Sequence, residues 1–124
     1  MNNLTIEKTK STLKVFGDAN AGKIELSGSS FPENAAEFFL PILSWISSYM
    51  LEGAESIIVD FKVDYVNSSS IKYISDIIEK IEVFHKAGGA GVINWYYAED
   101  DEDIQDMGNE FAEDVLVPFN LIQE

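Results

Sequence analysis

From about Glu33 to Glu52 the apolar residues Phe38, Ile42, Trp45, Ile46 and Tyr49 recur at spacings of three and four, the repeat of one buried helical face. Pro41 falls inside this run. It has no N–H to give to the carbonyl of Glu37, which predicts a kink or a break near residues 37 to 41, and Gly53 predicts the stop. The next stretch, Ser56 to Val63, changes period. It is rich in β-branched residues and only partly alternating, the pattern of a central strand covered on both faces. A second helical repeat follows, with Ile71, Ile74, Ile77, Ile78, Ile81 and Phe84 on one side and an end at Ala87, Gly88 and Gly89. Gly91 to Tyr97 reads as a strand, and Asp103 to about Val115 as a helix facing inward through Ile104, Met107, Phe111 and Val115. Pro118 to Ile122 reads as a short edge strand. Ahead of the first helix, Leu4 to Thr9, Leu13 to Phe16 and Lys23 to Ser27 are short strands, the last two joined by a turn at Ala19 to Gly22, which makes an antiparallel opening.

Strands that alternate with helices need parallel pairing and right-handed crossovers, so the second half sets helices on at least one face of the sheet. The predicted fold class is α/β, a mixed β-sheet with helices packed on it. With 124 residues, 46% of them hydrophobic, residues 1–124 form one domain with a full core.

Charge and composition then remove whole classes of function. The chain carries 22 acidic against 8 basic residues, a net charge of −14, which opposes binding to nucleic acid or to anionic membrane surfaces. Cysteine is absent, so there is no disulfide framework and no thiolate metal site. The N-terminus lacks the apolar core of a signal peptide, and no apolar run approaches the ~20 residues of a membrane span. A soluble cytoplasmic protein is the expectation.

Enzyme motifs are also missing. The sequence has no glycine-rich phosphate loop, paired-histidine motif or dinucleotide fingerprint, and no cofactor is expected. Ser70 and the lone His85 lie on one predicted helix, fifteen residues apart and so roughly 22 Å apart, which excludes a serine–histidine nucleophile. His85 belongs in the last turn, where the helix dipole favours a cation. A hydrolase using carboxylates such as Asp60 and Asp64 has no motif behind it. The acidic tract Glu99 to Asp103 lacks the spacing of a calcium loop and continues as an amphipathic helix, so it reads first as a solvated helix start and second as a docking surface for a basic partner. In the aromatic run Trp95, Tyr96, Tyr97, alternate rings face opposite sides of a strand, so at least one is core and another is free for a partner.

The junction Val63-Asp-Tyr-Val-Asn-Ser-Ser-Ser-Ile-Lys72 holds a strand end, a helix start, three hydroxyls and a cation. Asn67 or Ser68 suits the N-cap. Lys72 does not suit its place, because a helix start carries about half a positive charge and opposes a lysine by about 0.3–1 kcal/mol. A capping box needs Glu or Gln three residues after the cap, where this chain offers Ile71, Lys72 or Tyr73. A phosphoserine here would meet free helix N–H groups, the dipole and the lysine together. That gives the cation a purpose.

Strand, then hydroxyl at a helix start, in a small sheet-and-helix domain is similar to the STAS fold of anti-sigma-factor antagonists. The closer resemblance is to the SiaC family of bacterial regulatory phosphoproteins. Gly28-Ser-Ser-Phe-Pro-Glu-Asn34, Pro41 with Trp45, Tyr65-Val-Asn-Ser-Ser-Ser-Ile-Lys72, Asn94-Trp-Tyr-Tyr97, Asp100-Asp-Glu-Asp103 and Pro118-Phe119 all look like its motifs, over nearly the whole chain. The resemblance implies a STAS-like, non-enzymatic switch. A serine/threonine protein kinase would phosphorylate it, and a PP2C-type phosphatase would reverse the step. The unphosphorylated form would bind and activate a diguanylate cyclase, raising cyclic di-GMP and promoting biofilm formation. The family's acceptor is usually a threonine after the asparagine, so the resemblance assigns phosphorylation to Ser68, with Ser69 and Ser70 as alternatives and Asn67 and Lys72 supporting the phosphate. Tyr65, Trp95, Tyr97, Asp101 and Asp103 are the expected partner contacts. The competing reading is a constitutive module that docks through Trp95 to Tyr97 and the acidic helix without any covalent switch.

Overall fold

The N-terminal strands lie against one another because each is joined to the next by a short connection. β1 (Leu4–Ile6), β2 (Lys14–Asp18) and β3 (Lys23–Ser30) run antiparallel, Leu4 opposite Gly17 and Asp18 opposite Lys23. From β3 onward every connection contains a helix: α1 (Ala35–Leu51) leads to β4 (Ser56–Val66), α2 (Ser68–Lys86) to β5 (Ala90–Tyr97), and α3 (Glu102–Glu113) to β6 (Phe119–Gln123). These crossovers make β3, β4, β5 and β6 parallel, and the strand order across the sheet follows the chain from β1 to β6. The computed structural model describes all 124 residues.

Crossovers of one hand that always advance in the same direction deliver their helices to one face of the sheet. The burial pattern agrees. Ile57, Val59 and Phe61 of β4 are fully buried beneath the helices, as are Ile24 and Leu26 of β3 and Ile93 of β5. The opposite face is open, so β4 is not covered on both sides as its composition suggests, and Ile58 on that face is exposed. The run reads as doubly covered because Ile58 puts a β-branched residue on the open side between Ile57 and Val59; Asp60, also on the open face, is only 2% exposed because it is enclosed by Lys23 on β3 (3.0 Å) and by the Asn94 amide on β5 (2.9 Å). The hydrogen bond and charge of Asp60 together raise the Lys23 pKa, outweighing the smaller effect of its own desolvation.

Helix α1 runs unbroken through Pro41. Its amides begin at an Asn34 cap, whose side chain accepts from the Glu37 N–H at 3.1 Å, and its buried stripe is Phe39, Ile42, Leu43, Trp45 and Ile46. Phe38, expected on that stripe, is half-buried beside it. Gly53 follows the helix at φ +85, in the left-handed region expected of a terminating glycine. Two glycines mark close packing. A Cβ on Gly17 would lie 2.9 Å from the Trp45 indole, and one on Gly108, inside α3, 2.4 Å from the Trp95 indole. Gly108 is what lets α3 lie directly on the Trp95 ring.

The periodicity of α2 holds for Ile74, Ile77, Ile78 and Ile81, but the same face carries Glu82, 3% exposed. Its carboxylate accepts from the backbone N–H of Leu116 (2.8 and 3.1 Å to the two oxygens) and of Val117 (2.9 Å), pinning the segment between α3 and β6. Burial pushes this carboxyl up, but the two N–H donors, with Lys86 and His85 nearby, win and hold it below its ordinary value of 4.5. With the folded value depressed, the stabilisation is complete above the ordinary value and is lost as pH falls through the folded one. Replacing Glu82 by Leu leaves two N–H groups unpaired and should cost about 1–3 kcal/mol for each group left buried and unsatisfied. Urea melts at about pH 7 and about pH 3 should show the variant much less stable than wild type at the higher pH, with the gap shrinking at the lower.

Candidate functional site

The end of β4 departs from regular strand geometry. Gly28 of β3 pairs with Val63, but Ser29 pairs with Tyr65, leaving Asp64 as an extra residue in a β-bulge. Gly28 stands at φ +108 opposite it, and the Ser29 hydroxyl donates to the Asp64 carboxylate. One extra residue reverses the alternation that follows. Val66 therefore enters the core, and Tyr65 turns outward to meet Phe31 edge-on, 5.9 Å between ring centres.

Beyond the bulge, the Asn67 N–H donates to the Ser30 carbonyl at 2.9 Å, the last tie between β3 and β4. Asn67 is the N-cap of α2. Its extended backbone (φ −81, ψ 171) leaves its side-chain oxygen facing the first turn, where it accepts from the Ser70 N–H at 3.0 Å and from the Ser69 hydroxyl at 3.2 Å. The three serines therefore differ. Ser70 is fully buried, its hydroxyl accepting from the Ser30 hydroxyl at 2.8 Å and donating to the Ser30 carbonyl at 3.4 Å. That burial removes it as an accessible phosphoacceptor. Ser69 is exposed and engaged with the cap. Ser68, the first residue of α2, is exposed and its hydroxyl has no protein partner.

The electrostatics of this helix start also differ from those of the other two. Glu37 sits in the first turn of α1, and Glu102 and Asp103 in that of α3, while the first turn of α2 carries no acid. Its leading N–H groups and dipole are not matched by a carboxylate. Lys72 lies one turn along from Ser68, on the same side of the helix. It is not without local partners, as the sequence alone suggests: its ammonium is 3.1 Å from Asp76 and 4.4 Å from the centre of the Tyr73 ring. An exposed pair of this kind is worth at most about 1 kcal/mol and yields readily to a stronger anion.

The expected partner contacts separate in the same way. Trp95 is fully buried, packed against Phe61, Phe111 and Phe119, and its indole N–H donates to the Ile104 carbonyl at 2.9 Å. It is a core residue and no partner reaches it. Asp101 caps α3, accepting from the Ile104 N–H at 3.1 Å. Tyr97 is half-buried, and Asp103 and Tyr65 are exposed. No three His, Asp or Glu side chains converge as a metal site requires, and no helix is long and apolar enough to cross a membrane. Two residues at the junction escape a reading by pattern. Ser30 looks like a strand-end serine, and Phe31 like a loop residue; both stand in the stretch Gly28 to Asn34, and its resemblance to a family motif is the one signal that marks them.

Similarity to known proteins converges on one family. The model of the SiaC family regulatory phosphoproteins matches residues 6–124. An uncharacterized protein of Pseudomonas aeruginosa strain UCBPP-PA14 is 34% identical over 121 residues, 98% of this chain and 96% of its own length. The structure of SiaC of Pseudomonas aeruginosa superposes with a TM-score of 0.95 at 31% identity, each chain covered completely. A chain of the crystal structure of the diguanylate cyclase SiaD in complex with its activator SiaC, from the same organism, gives 0.95 at 32% identity, covering 98% of this chain and 99% of that one. With a matching family model over nearly all its length, and a bulged strand, capped helix and free serine in one α/β domain, the chain belongs to the SiaC family of regulatory phosphoproteins.

Proposed function

We propose that this chain is a non-enzymatic, phosphorylation-controlled partner switch whose control point is Ser68. The observation that carries the reading is the state of that side chain: a solvent-exposed hydroxyl with no protein partner, opening a helix whose first turn holds no acid. A serine/threonine kinase adds the phosphate and a PP2C-type phosphatase removes it. The phosphate brings about −1.5 to −2 charges to free N–H groups and a positive dipole end, with Lys72 one turn away. Asn67 already fixes the turn, so the modification needs no refolding. The effector is a diguanylate cyclase, as SiaD is for SiaC in the complex of the Pseudomonas proteins. The unphosphorylated chain binds and activates it. Phosphorylation releases it, because a partner seated on this edge must desolvate the dianion, a cost above the ~1.4 kcal/mol that corresponds to tenfold in affinity.

A constitutive docking module has less behind it. It relied on Trp95 and the start of the acidic helix, and the fold uses Trp95 for its core and Asp101 for a cap.

Phosphopeptide mass spectrometry of the protein from its own cells, with the phosphatase gene deleted, should find a stoichiometric phosphate at Ser68; a segment from Asn67 to Lys72 that stays unmodified sinks the switch. Calorimetry with the cyclase should give Ser68→Ala the affinity of the unphosphorylated protein, and the kinase-treated protein at least tenfold less. Equal binding by these two forms rules Ser68 out. For the supporting cation, Lys72→Gln should move the melt of the unphosphorylated protein by less than about 0.5 kcal/mol, since the exposed pair with Asp76 and the contact with the Tyr73 ring are offset by relief of the charge opposing the helix dipole. The same change should lower the melting temperature of the phosphorylated protein more, and equal shifts in the two forms would remove Lys72 from the phosphate site.

A further inference from the structure

The single irregularity in the pairing of β3 with β4 has an effect on the surface beyond the junction itself. Were Asp64 paired with Ser29 in regular register instead of bulging out, Tyr65 would share the buried face with Val63, and Val66 would point to solvent. The bulge instead spends the alternation on exposing a tyrosine at the edge where α2 begins. Tyr65 is 54% exposed and Phe31, from the adjacent strand end, 42% exposed. The two rings touch only edge-on and cover each other poorly. Phe31 itself is fixed by its N–H, which donates to the Ser11 carbonyl at 2.8 Å, so the pair stands on ordered backbone. A bulge that re-aims an aromatic side chain is a designed feature of a strand, and large rings of this kind are the residues that anchor protein interfaces.

The charge around the rings decides what they suit. Glu33 follows Phe31 by two residues, Asp64 precedes Tyr65, and Glu99 and Asp100 leave β5 at the same end of the sheet, all four exposed; the cations at this end are Lys8, which lies over Gly28 beside the bulge, and Lys72, so acids are in excess. With −14 on the chain as a whole, a second copy is repelled, whereas a cationic surface is drawn in.

From this geometry we infer that Phe31 and Tyr65 form the apolar anchor of the effector-docking surface, and that they receive an apolar side chain from a lysine- or arginine-bearing segment of the cyclase. The inference rests on the function proposed above and adds its address. It also accounts for release: Tyr65 and Ser68 are three residues apart across the cap, so a segment seated on the rings lies against the phosphate. The acid rim attracts a cationic partner from a distance, and the bulky, hydrated dianion at the helix start obstructs the close seating that the rings require.

The test uses the diguanylate cyclase that co-purifies with the chain from its own cells, titrated calorimetrically against whole, unphosphorylated protein. Tyr65→Ala and Phe31→Ala should each weaken binding tenfold or more, while Leu51→Ala, which removes another exposed apolar side chain at the far end of α1, leaves it unchanged. Melting temperatures within a degree or two of wild type verify that the exposed substitutions keep the fold. Glu33→Lys, which leaves both rings in place, should weaken binding severalfold. Raising salt from about 50 to about 500 mM should weaken wild type, as screening removes the charge attraction. Wild-type affinity in both ring variants overturns the anchor and leaves the Ser68 switch standing, and salt-independent binding overturns the cationic partner. Failure of the wild-type protein to bind any cyclase overturns the proposed function and the anchor with it.

Discussion

Ser30 is where the fold's two halves are held to a common origin. Its carbonyl receives the Asn67 N–H and the Ser70 hydroxyl, and its own hydroxyl donates to Ser70, all out of water. Buried polar groups in a low-dielectric setting are costly unless paired, so this cluster tolerates one arrangement and few others. It sets the residue at which β4 stops and α2 starts. From there the phase of α2 follows: with Ser70 turned inward, Ile74, Ile77 and Ile81 fall on the sheet and Ser68 falls outside. Tyr73, between them, stacks on Phe39 of α1 at 5.4 Å, so the same choice of phase joins the first two helices.

The open face of the sheet is built on a different principle from the helical one. Across four strands, Lys23 pairs with Asp60, Asn94 donates to Asp60, and Asn120 donates to Asn94 at 3.0 Å. A second row sets Lys62 against Glu25 at 2.9 Å and over the ring of Tyr96. Pairs as exposed as Lys62 and Glu25 contribute little stability by themselves. Their value lies in register. A one-residue slip of β4 would send Asp60 under the helices and leave it without Lys23 or Asn94, a far larger penalty than the loss of a surface pair.

What the sequence discloses depends on whether a residue's role is set by its neighbours in the chain. The stripe of α2, the stop at Gly53, the antiparallel opening and the Asn67 cap are local, and each is legible from spacing or residue type. Roles set across the sheet are not. Trp95 reads as core or surface until α3 is laid on it through Gly108, and the neighbours of Asp60 in the chain give no sign that a carboxylate on the open face is enclosed by Lys23 and Asn94. Glu82 resembles any polar residue on a helix, and its donors are 34 and 35 residues away. At the site, Ser68, Ser69 and Ser70 are chemically alike, and only the phase fixed by Ser30 tells them apart. Lys72 misleads for a related reason: its opposition to the dipole is real, but Asp76 and Tyr73 give it company that a rule about helix ends does not count.

The strand order that simply follows the chain has a consequence for how the protein comes to exist. Every strand pairs with the strand made just before it, through a hairpin or one helix, so no strand waits for a partner more than one crossover away and no connection passes over another. Each parallel pairing closes a loop of one crossover only, and because closure entropy grows with loop length, that costs less than pairing strands remote in the chain would. Such a chain can assemble in the order in which it is synthesised. The Ser68 edge is then ready when β4 and α2 have joined β3, before the last strand has been added.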